Sequence, residues 1–298
     1  MKLDSTMIRA HMACPRSYYW RYIRHIKPKS PAAALNFGGA IHKGLEVMHK
    51  KLSLTEGLQA FAEAYPEDLD DRRTQKIGRA ILTDYYSQRA SEFGLDIQIE
   101  TGFAYEIPYN ADGEHHHALI VGRIDRIRKG RNDPEEIWIS DWKTASRIGP
   151  SYINKYVRDI QMGIYYLGCT FITNQCDGVA IDVLPVQKTT TQPQLYEFDY
   201  STFDDQILEV LSREAEEIHN HTRSNFWPEK WTHCSSFGAC SFQDLCYHPE
   251  FAERTLDALY EYEIWEPWKG IIKEDGDGTA DNRAGDPVVN GSSGMDSR

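Results

Sequence analysis

The stretch Ile139-Ser140-Asp141-Trp142-Lys143-Thr144 closes a segment, starting near Glu136, in which apolar and polar residues alternate. A period of two predicts a β-strand whose successive side chains point to opposite faces. Asp141 and Lys143 therefore share one face, and Trp142 points to the other. A carboxylate beside an ammonium group fits either an ion pair on the surface of a sheet or a site that handles charged groups.

Two earlier segments have the same strand character, and together the three predict an antiparallel sheet. They span residues 96–109 and 118–128, and Asn110-Ala111-Asp112-Gly113 between them is a hairpin turn. Asp125 lies on the middle strand, so hairpin pairing would bring its carboxylate beside Asp141. Two carboxylates and an ammonium group suit a divalent-metal site for phosphodiester hydrolysis, in which the ion activates water and offsets charge on the phosphate.

Helical segments flank these strands. The predicted helices span residues 5–25, 39–52, 55–93, 151–171 and 203–221, with further strands at 178–186 and 195–198. This order predicts one α+β core with helical additions.

Two pairs of polar residues lie four positions apart on predicted helices, a spacing that puts both members on one face. His42 ends Phe37-Gly38-Gly39-Ala40-Ile41-His42, and Glu46 follows one turn later. Gln161 and Tyr165 form the second pair. Glu46 is either an outer support of a site at His42 or a solvated helix acid.

In chain order these features read Gly-x-x-x-His, Gly-x-x-Asp, Asp-x-Lys and Gln-x-x-x-Tyr. The series resembles the motifs of the RecB-like branch of the PD-(D/E)XK nuclease superfamily, over about residues 8–250. That branch includes nuclease domains of bacterial recombination complexes, CRISPR-associated adaptation nucleases and phage exonucleases. The resemblance implies a restriction-endonuclease-like core, in which helices flank a mixed central sheet.

The resemblance also implies roles for individual residues. Mg²⁺ or Mn²⁺ would be bound by His42, Asp125, Asp141 and the backbone carbonyl of Trp142. Lys143 would be the catalytic lysine. Gln161 and Tyr165 would position the DNA strand or brace the site.

Four of the six cysteines form a pattern typical of metal binding rather than of a disulfide framework. Cys234, Cys240 and Cys246 are separated by five residues each, and Cys14 is the remote fourth member. RecB-like nucleases with an iron–sulfur cluster have one cysteine before the core and three after it, so the resemblance implies a [4Fe–4S] cluster. The spacing departs from the tighter Cys-x-x-Cys pair that is common in those proteins.

Structural Zn²⁺ is the alternative for the same cysteines, and His233 or His248 could replace one thiolate in that case. Cys169 and Cys176 are interpreted as ordinary small residues of the core or surface.

The formal net charge is -12, yet residues 1–51 contain 10 Lys and Arg against 2 Asp and Glu. This basic segment interleaves cations with aromatic rings, an arrangement that suits a phosphate backbone with stackable bases. The predicted DNA-binding residues are Arg16, Tyr19, Arg21 and Arg24. A partly buried helix with a solvated basic face would give the same pattern.

The leading hypothesis is a metal-dependent deoxyribonuclease, an exonuclease on single-stranded DNA or duplex ends. The alternatives are an iron–sulfur module that binds DNA ends as an adaptor with little turnover, and a structure-specific endonuclease. The resemblance implies partners in recombination, repair or CRISPR adaptation, and a cytoplasmic protein of a prokaryote or phage. No apolar run reaches the roughly 18–20 residues of a membrane span, and residues 1–5 do not begin a secretory signal.

We expect four regions along the chain. They are an N-terminal helical segment with the first cysteine (1–95), the nuclease core (96–222), a cysteine-ligated cluster lobe (223–272) and a disordered acidic tail (273–298).

Overall fold

A computed structural model describes residues 1–29, 33–68, 70–187, 191–200, 204–235 and 240–271. The predicted tail at 273–298 lies outside these residues. The strands are β1 (Lys2–Leu3), β2 (Ile26–Pro28), β3 (Asp96–Ala111), β4 (Glu114–Lys129), β5 (Ile137–Ala145), β6 (Gly178–Pro185), β7 (Gln194–Phe198) and β8 (Tyr260–Tyr262). The helices are α1 (Ser5–Ala13), α2 (Pro15–Tyr18), α3 (Ala33–Lys51), α4 (Leu54–Ala64), α5 (Gln75–Arg89), α6 (Pro150–Asn154), α7 (Ile160–Thr173), α8 (Asp204–Ser224), α9 (Trp231–Cys234), α10 (Gln243–Tyr247) and α11 (Ala252–Leu259).

The central sheet is mixed, as predicted. Strands β3, β4 and β5 are antiparallel, and the hairpin between β3 and β4 turns at Asp112 and Gly113, both with positive φ. β5 and β6 are parallel because α7 crosses over between them, and β7 pairs antiparallel with β6. β3 pairs with one edge of β4 along its length. β1 and β5 pair with different parts of the other edge.

Helices cover both faces of this sheet. Side chains from α1, α7 and α8 pack on one face, where Ile8, Met162 and Leu211 are buried. Helices α3, α4 and α5 cover the other face around Trp142, which is fully buried. Because both faces are covered, every residue of β6 is buried, as is typical of a parallel strand inside an α/β layer structure.

The N-terminal segment differs from the single helix predicted over 5–25. Cys14 is extended (φ −164°), and Pro15 starts α2 after it because proline suits a first helical position but cannot donate to the preceding turn. Residues Tyr19–Ile23 then form a π-helical turn. Ile26–Pro28 follows the end of the predicted helix, and it is a strand because it pairs with β8 more than 230 residues later.

Two other predicted helices are interrupted. The region 55–93 contains α4 and α5, and the Thr74 side chain caps α5 by accepting from Ile77 N. The region 151–171 contains α6 and α7, and Asp159 caps α7. In the part of the chain described, no helix is both long and apolar enough to cross a membrane.

We expect Gly57→Ala to lower the free energy of unfolding by about 1–3 kcal/mol, the usual cost of overpacking. A Cβ on Gly57 would lie 2.8 Å from the Gly44 carbonyl oxygen, because α3 and α4 pack closely at this pair. Gly39→Ala on α3 is the matched control, since a Cβ there meets nothing within 4 Å; it should gain roughly 0.5–1 kcal/mol. Urea unfolding measures both, and equal effects would contradict the packing account.

Candidate active site

The predicted pair of carboxylates lies where β4 and β5 separate. The two strands pair from Lys129↔Ile137 to Arg126↔Ser140, and Asp125 and Asp141 are the first residues beyond the last pair. β5 continues beside β6, while Asp125 stays on β4. The Trp142 backbone N–H donates to Asp125 Oδ2 at 2.9 Å across the opening. The fork therefore places both carboxylates in one cleft.

Asp141 is buried, with 1% of its surface exposed, and its Oδ1 has no hydrogen-bond partner among the described residues. Its Oδ2 lies 2.5 Å from Lys143 Nζ, as the shared strand face predicted. Burial raises the pKa of Asp141 to about 6, the Lys143 charge opposes that rise, and the Asp125 charge adds to it. Buried acceptors without donors are the chemistry that a divalent cation satisfies.

His42 contacts the other two oxygen ligands that the resemblance implies, from the Asp125 carboxylate and the Trp142 carbonyl. Its Nδ1 lies 3.3 Å from Asp125 Oδ2, and its Nε2 donates to the Trp142 carbonyl at 2.7 Å. Burial alone would lower the pKa of His42, but the Asp125 charge outweighs it and the value reaches about 9. Burial would raise the pKa of Asp125, but the charges of His42 and Lys143 outweigh burial. The pKa of that carboxyl is therefore lowered.

Gln161 and Tyr165 lie on α7, next to Lys143. Gln161 Nε2 donates to the Tyr165 hydroxyl at 2.8 Å, as the helical spacing predicted, and Gln161 Oε1 accepts from Lys143 Nζ at 3.4 Å. Arg9 of α1 also donates to Gln161 Oε1, at 3.3 Å, and it forms an ion pair with Asp159. The sequence analysis did not identify Arg9 as a site residue because 152 positions separate it from Gln161.

Glu100 is a further carboxylate that the sequence analysis missed. Ligand atoms of Glu100, His42 and Asp125 all lie within 4.8 Å of one another. Burial and the charge of Asp125 raise the pKa of Glu100 to about 7. The hairpin turns at residues 112 and 113, and this register places Glu100 opposite Asp125 on the neighbouring strand. The predicted turn spanned four residues, so it did not determine which residues pair.

Unlike His42, Glu46 contacts lysine side chains of its own helix. Its two carboxylate oxygens each lie 2.8 Å from a lysine, Lys43 and Lys50, on the same helix. The two lysines are exposed, whereas Glu46 has only 19% of its side chain exposed, and its charge adds to the effect of burial that raises the pKa of Glu100.

The basic segment packs against the C-terminal part of the chain. Arg21 is paired with Glu263, Arg16 Nε lies 4.0 Å from a Glu229 oxygen, and Arg24 donates to the Tyr19 hydroxyl at 3.3 Å. Acids of the C-terminal part therefore offset some of the local positive charge.

The four cysteines of the predicted cluster converge from both ends of the chain. The Lys230 backbone N–H donates to Cys14 Sγ at 3.4 Å, and Cys240 N donates to the Cys234 carbonyl at 3.2 Å. Burial raises the pKa of Cys240, and Cys14 and Cys234 are close enough to raise it further. Burial also raises the pKa of Cys246 to about 11. All four thiols are free.

Cys169 and Cys176 are buried apart from this group. They hydrogen-bond to each other, and Cys169 belongs to α7, which packs on the central sheet. Among the described residues, no three thiols lie within 4.8 Å of one another.

One known protein family and several solved structures match this chain. Residues 5–247 match the family model of the PD-(D/E)XK nuclease superfamily. No curated protein matches the chain. The "Putative exonuclease" from Eubacterium rectale is 12% identical with a TM-score of 0.53, over 78% of this chain and 86% of that one. The protein SSO0001 is 14% identical with a TM-score of 0.38, over 82% of this chain and 85% of that one.

Proposed function

The chain belongs to the PD-(D/E)XK nuclease superfamily, and from that premise we propose that it is a divalent-metal-dependent deoxyribonuclease acting as an exonuclease on single-stranded DNA or DNA ends. One observation carries the proposal: Asp125, Asp141 and Lys143 share a cleft at the fork of two strands, and the Lys143 ammonium lies 2.5 Å from Asp141. Exonuclease is also the activity named for the Eubacterium rectale protein of similar fold.

The donor set fits Mg²⁺ or Mn²⁺. Asp125, Asp141 and the Trp142 carbonyl offer hard oxygen ligands, and Asp141 Oδ1 lacks a hydrogen-bond donor among the described residues. His42 and Glu100 are adjacent further ligands. When bound, the ion supplies Lewis acidity and lowers the pKa of water, which generates a nucleophile at neutral pH.

The protein side chains have separable roles in this proposal. Lys143 stays protonated because Asp141 and Asp125 raise its pKa against burial, so it can offset charge that develops on the phosphate. Gln161 accepts from both Lys143 and Arg9 and so holds two cations on one wall of the cleft. Tyr165 fixes the Gln161 amide by accepting from it.

End-labelled single-stranded and duplex DNA tests the proposal. We expect labelled products with Mg²⁺ or Mn²⁺ and none with a chelator, and we expect a covalently closed circle to stay intact. Cleavage of the circle would support a structure-specific endonuclease instead. Tight binding without cleavage under any divalent ion would support the end-binding adaptor.

We expect Glu100→Gln to raise the Mg²⁺ concentration for half-maximal cleavage by about tenfold, the lower end of what support of a metal site contributes. Glu100 shares space with His42 and Asp125, so its loss removes negative charge from the cation site. Glu106→Gln on the same strand is the control, because Glu106 is exposed and faces His117. An unchanged Mg²⁺ requirement in Glu100→Gln would exclude Glu100 from the site.

We further propose that Cys14, Cys234, Cys240 and Cys246 hold a [4Fe–4S] cluster. Each thiolate of such a cluster binds a different iron atom, so the sulfurs stand farther apart than on one zinc ion. The support is that Cys14 and Cys234 are close enough to Cys240, and Cys240 to Cys246, for their charges to add to the rise that burial causes in the pKa of these thiols. The Lys230 N–H that donates to Cys14 Sγ is of the kind that tunes cluster thiolates.

The DNA contacts of Arg16, Tyr19, Arg21 and Arg24 stay predictions, as do partners in recombination, repair or CRISPR adaptation. Arg9 is an additional candidate, because it reaches Gln161 in the cleft. We also propose that the protein is cytoplasmic and encoded by a prokaryote or a phage, as the resemblance to RecB-like nucleases implies.

A further inference from the structure

Away from the fork, α1 and α8 bring together two histidines and a glutamate. Ligand atoms of His11, Glu217 and His221 lie within 4.8 Å of one another. We propose that these three residues bind a transition-metal ion of the Zn²⁺ class, at a second site that is independent of the nuclease centre.

His11 is the buried member of the group, with 1% of its surface exposed. Its Nδ1 is hydrogen-bonded to Glu214 Oε2 at 2.8 Å, and its Nε2 is buried without a hydrogen-bond partner among the described residues. A histidine that binds a metal usually gives its other ring nitrogen to a carboxylate, which fixes the orientation of the ring. Glu214 provides that carboxylate, and Nε2 is the nitrogen left for a ligand.

The other two residues come from α8. Glu217 and His221 are four positions apart, so both side chains lie on one face of the helix. His221 hydrogen-bonds to the Phe226 backbone, which engages one ring nitrogen and leaves the other. Glu217 is exposed, so the site opens to solvent on its side.

Aromatic rings lie beside the two histidines. The Tyr18 and Trp227 rings meet His11 edge-on at centroid distances of 5.5 and 6.5 Å, and Trp227 also lies 5.5 Å from the ring of His221. An apolar wall around imidazole ligands restricts solvent access and strengthens the interaction with a cation.

The donor set selects the class of ion. Two imidazoles and one carboxylate suit Zn²⁺, with a fourth position for water, whereas Mg²⁺ prefers oxygen ligands alone. Nickel and copper accept imidazole as well, so the chemistry identifies a class and not one element. A bound ion would link α1 to α8, and α1 also carries Arg9, which reaches Gln161 at the nuclease site.

The zinc stoichiometry of the full-length protein tests the proposal. It is measured in excess Mg²⁺, which occupies the oxygen-rich cleft. Glu217→Gln and His221→Ala should each lose one equivalent of Zn²⁺ relative to wild type. Glu216→Gln, the neighbouring acid on α8, should keep it. Because the comparison is between variants, zinc bound at the cysteines cancels. Equal stoichiometry in wild type and both site variants would overturn the site.

Two further readouts separate ligation from a structural role. Zn²⁺ should raise the Tm of wild type and Glu216→Gln but leave that of Glu217→Gln unchanged, because only a native-state ligand shifts Tm. Glu214→Gln should weaken Zn²⁺ binding by about 10- to 100-fold, the usual effect of removing a partner of a ligating histidine. A zinc-induced Tm shift of wild-type size in Glu217→Gln would contradict the proposal. None of these readouts uses DNA cleavage, so their outcome does not depend on the proposed nuclease activity.

Discussion

Asp141→Asn should reduce cleavage of end-labelled DNA by at least about 1,000-fold. The variant keeps the size of the side chain but removes the charge of a buried carboxylate that lies 2.5 Å from Lys143. A metal site contributes several kcal/mol to transition-state stabilisation. Losing roughly 4 kcal/mol corresponds to that factor, at about 1.36 kcal/mol for each tenfold change in rate. The measurement is the single-turnover rate with saturating Mg²⁺.

The fold should survive this substitution. Burial raises the pKa of Asp141 to about 6 from a model-compound value of 3.8, so the folded protein holds this proton more tightly than the unfolded chain does. The charged form therefore lowers stability as the pH rises through this interval. The neutral amide avoids that effect, and Lys143 keeps Asp125 as a second carboxylate that raises its pKa. The circular dichroism spectrum should match wild type.

Asp133→Asn is the matched control, because Asp133 lies in the turn at the far end of the same β4–β5 hairpin, where it accepts from the Glu135 N–H. It should cut DNA at the wild-type rate. Wild-type cleavage by a folded Asp141→Asn protein would show that the active site lies elsewhere.

Cys14→Ser should remove the brown colour and most of the iron from anaerobically purified protein. Wild type should contain about four irons per chain, as expected for one [4Fe–4S] cluster. The cysteine joins the α1–α2 junction to a C-terminal segment more than 200 residues away, through contacts that include the Lys230 N–H. We also expect the Tm to fall by roughly 10 °C or more, because losing several kcal/mol shifts a domain of this size by 2–4 °C for each kcal/mol.

Cys169→Ala controls for the loss of a buried thiol, since Cys169 is fully buried and lies among core residues of α7. It should keep the colour and the iron. A colourless wild-type protein with one equivalent of zinc at these cysteines would replace the cluster assignment with the structural zinc alternative.

Local patterns predicted the parts of the site that depend on neighbouring residues. Alternation along β5 put Asp141 and Lys143 on one face, and in the structure the Trp142 indole points to the other, where its N–H donates to the Tyr85 hydroxyl. Helical spacing put Tyr165 beside Gln161, and the two are hydrogen-bonded. The same reasoning failed at Cys14, because a run of helix-forming residues did not outweigh the proline that follows it.

The sequence by itself determined the chemistry of the cleft, namely two acids and a lysine on adjacent strands, because backbone sterics set the direction of side chains within a strand. Only the tertiary structure decided which distant groups join them. The fork that brings Asp125 beside Asp141, the approach of Arg9 to Gln161 and the contact of His11 with α8 all depend on how helices pack on the two faces of the sheet. Such packing is a property of the whole core, since it depends on burying both faces at once, and no short pattern encodes it.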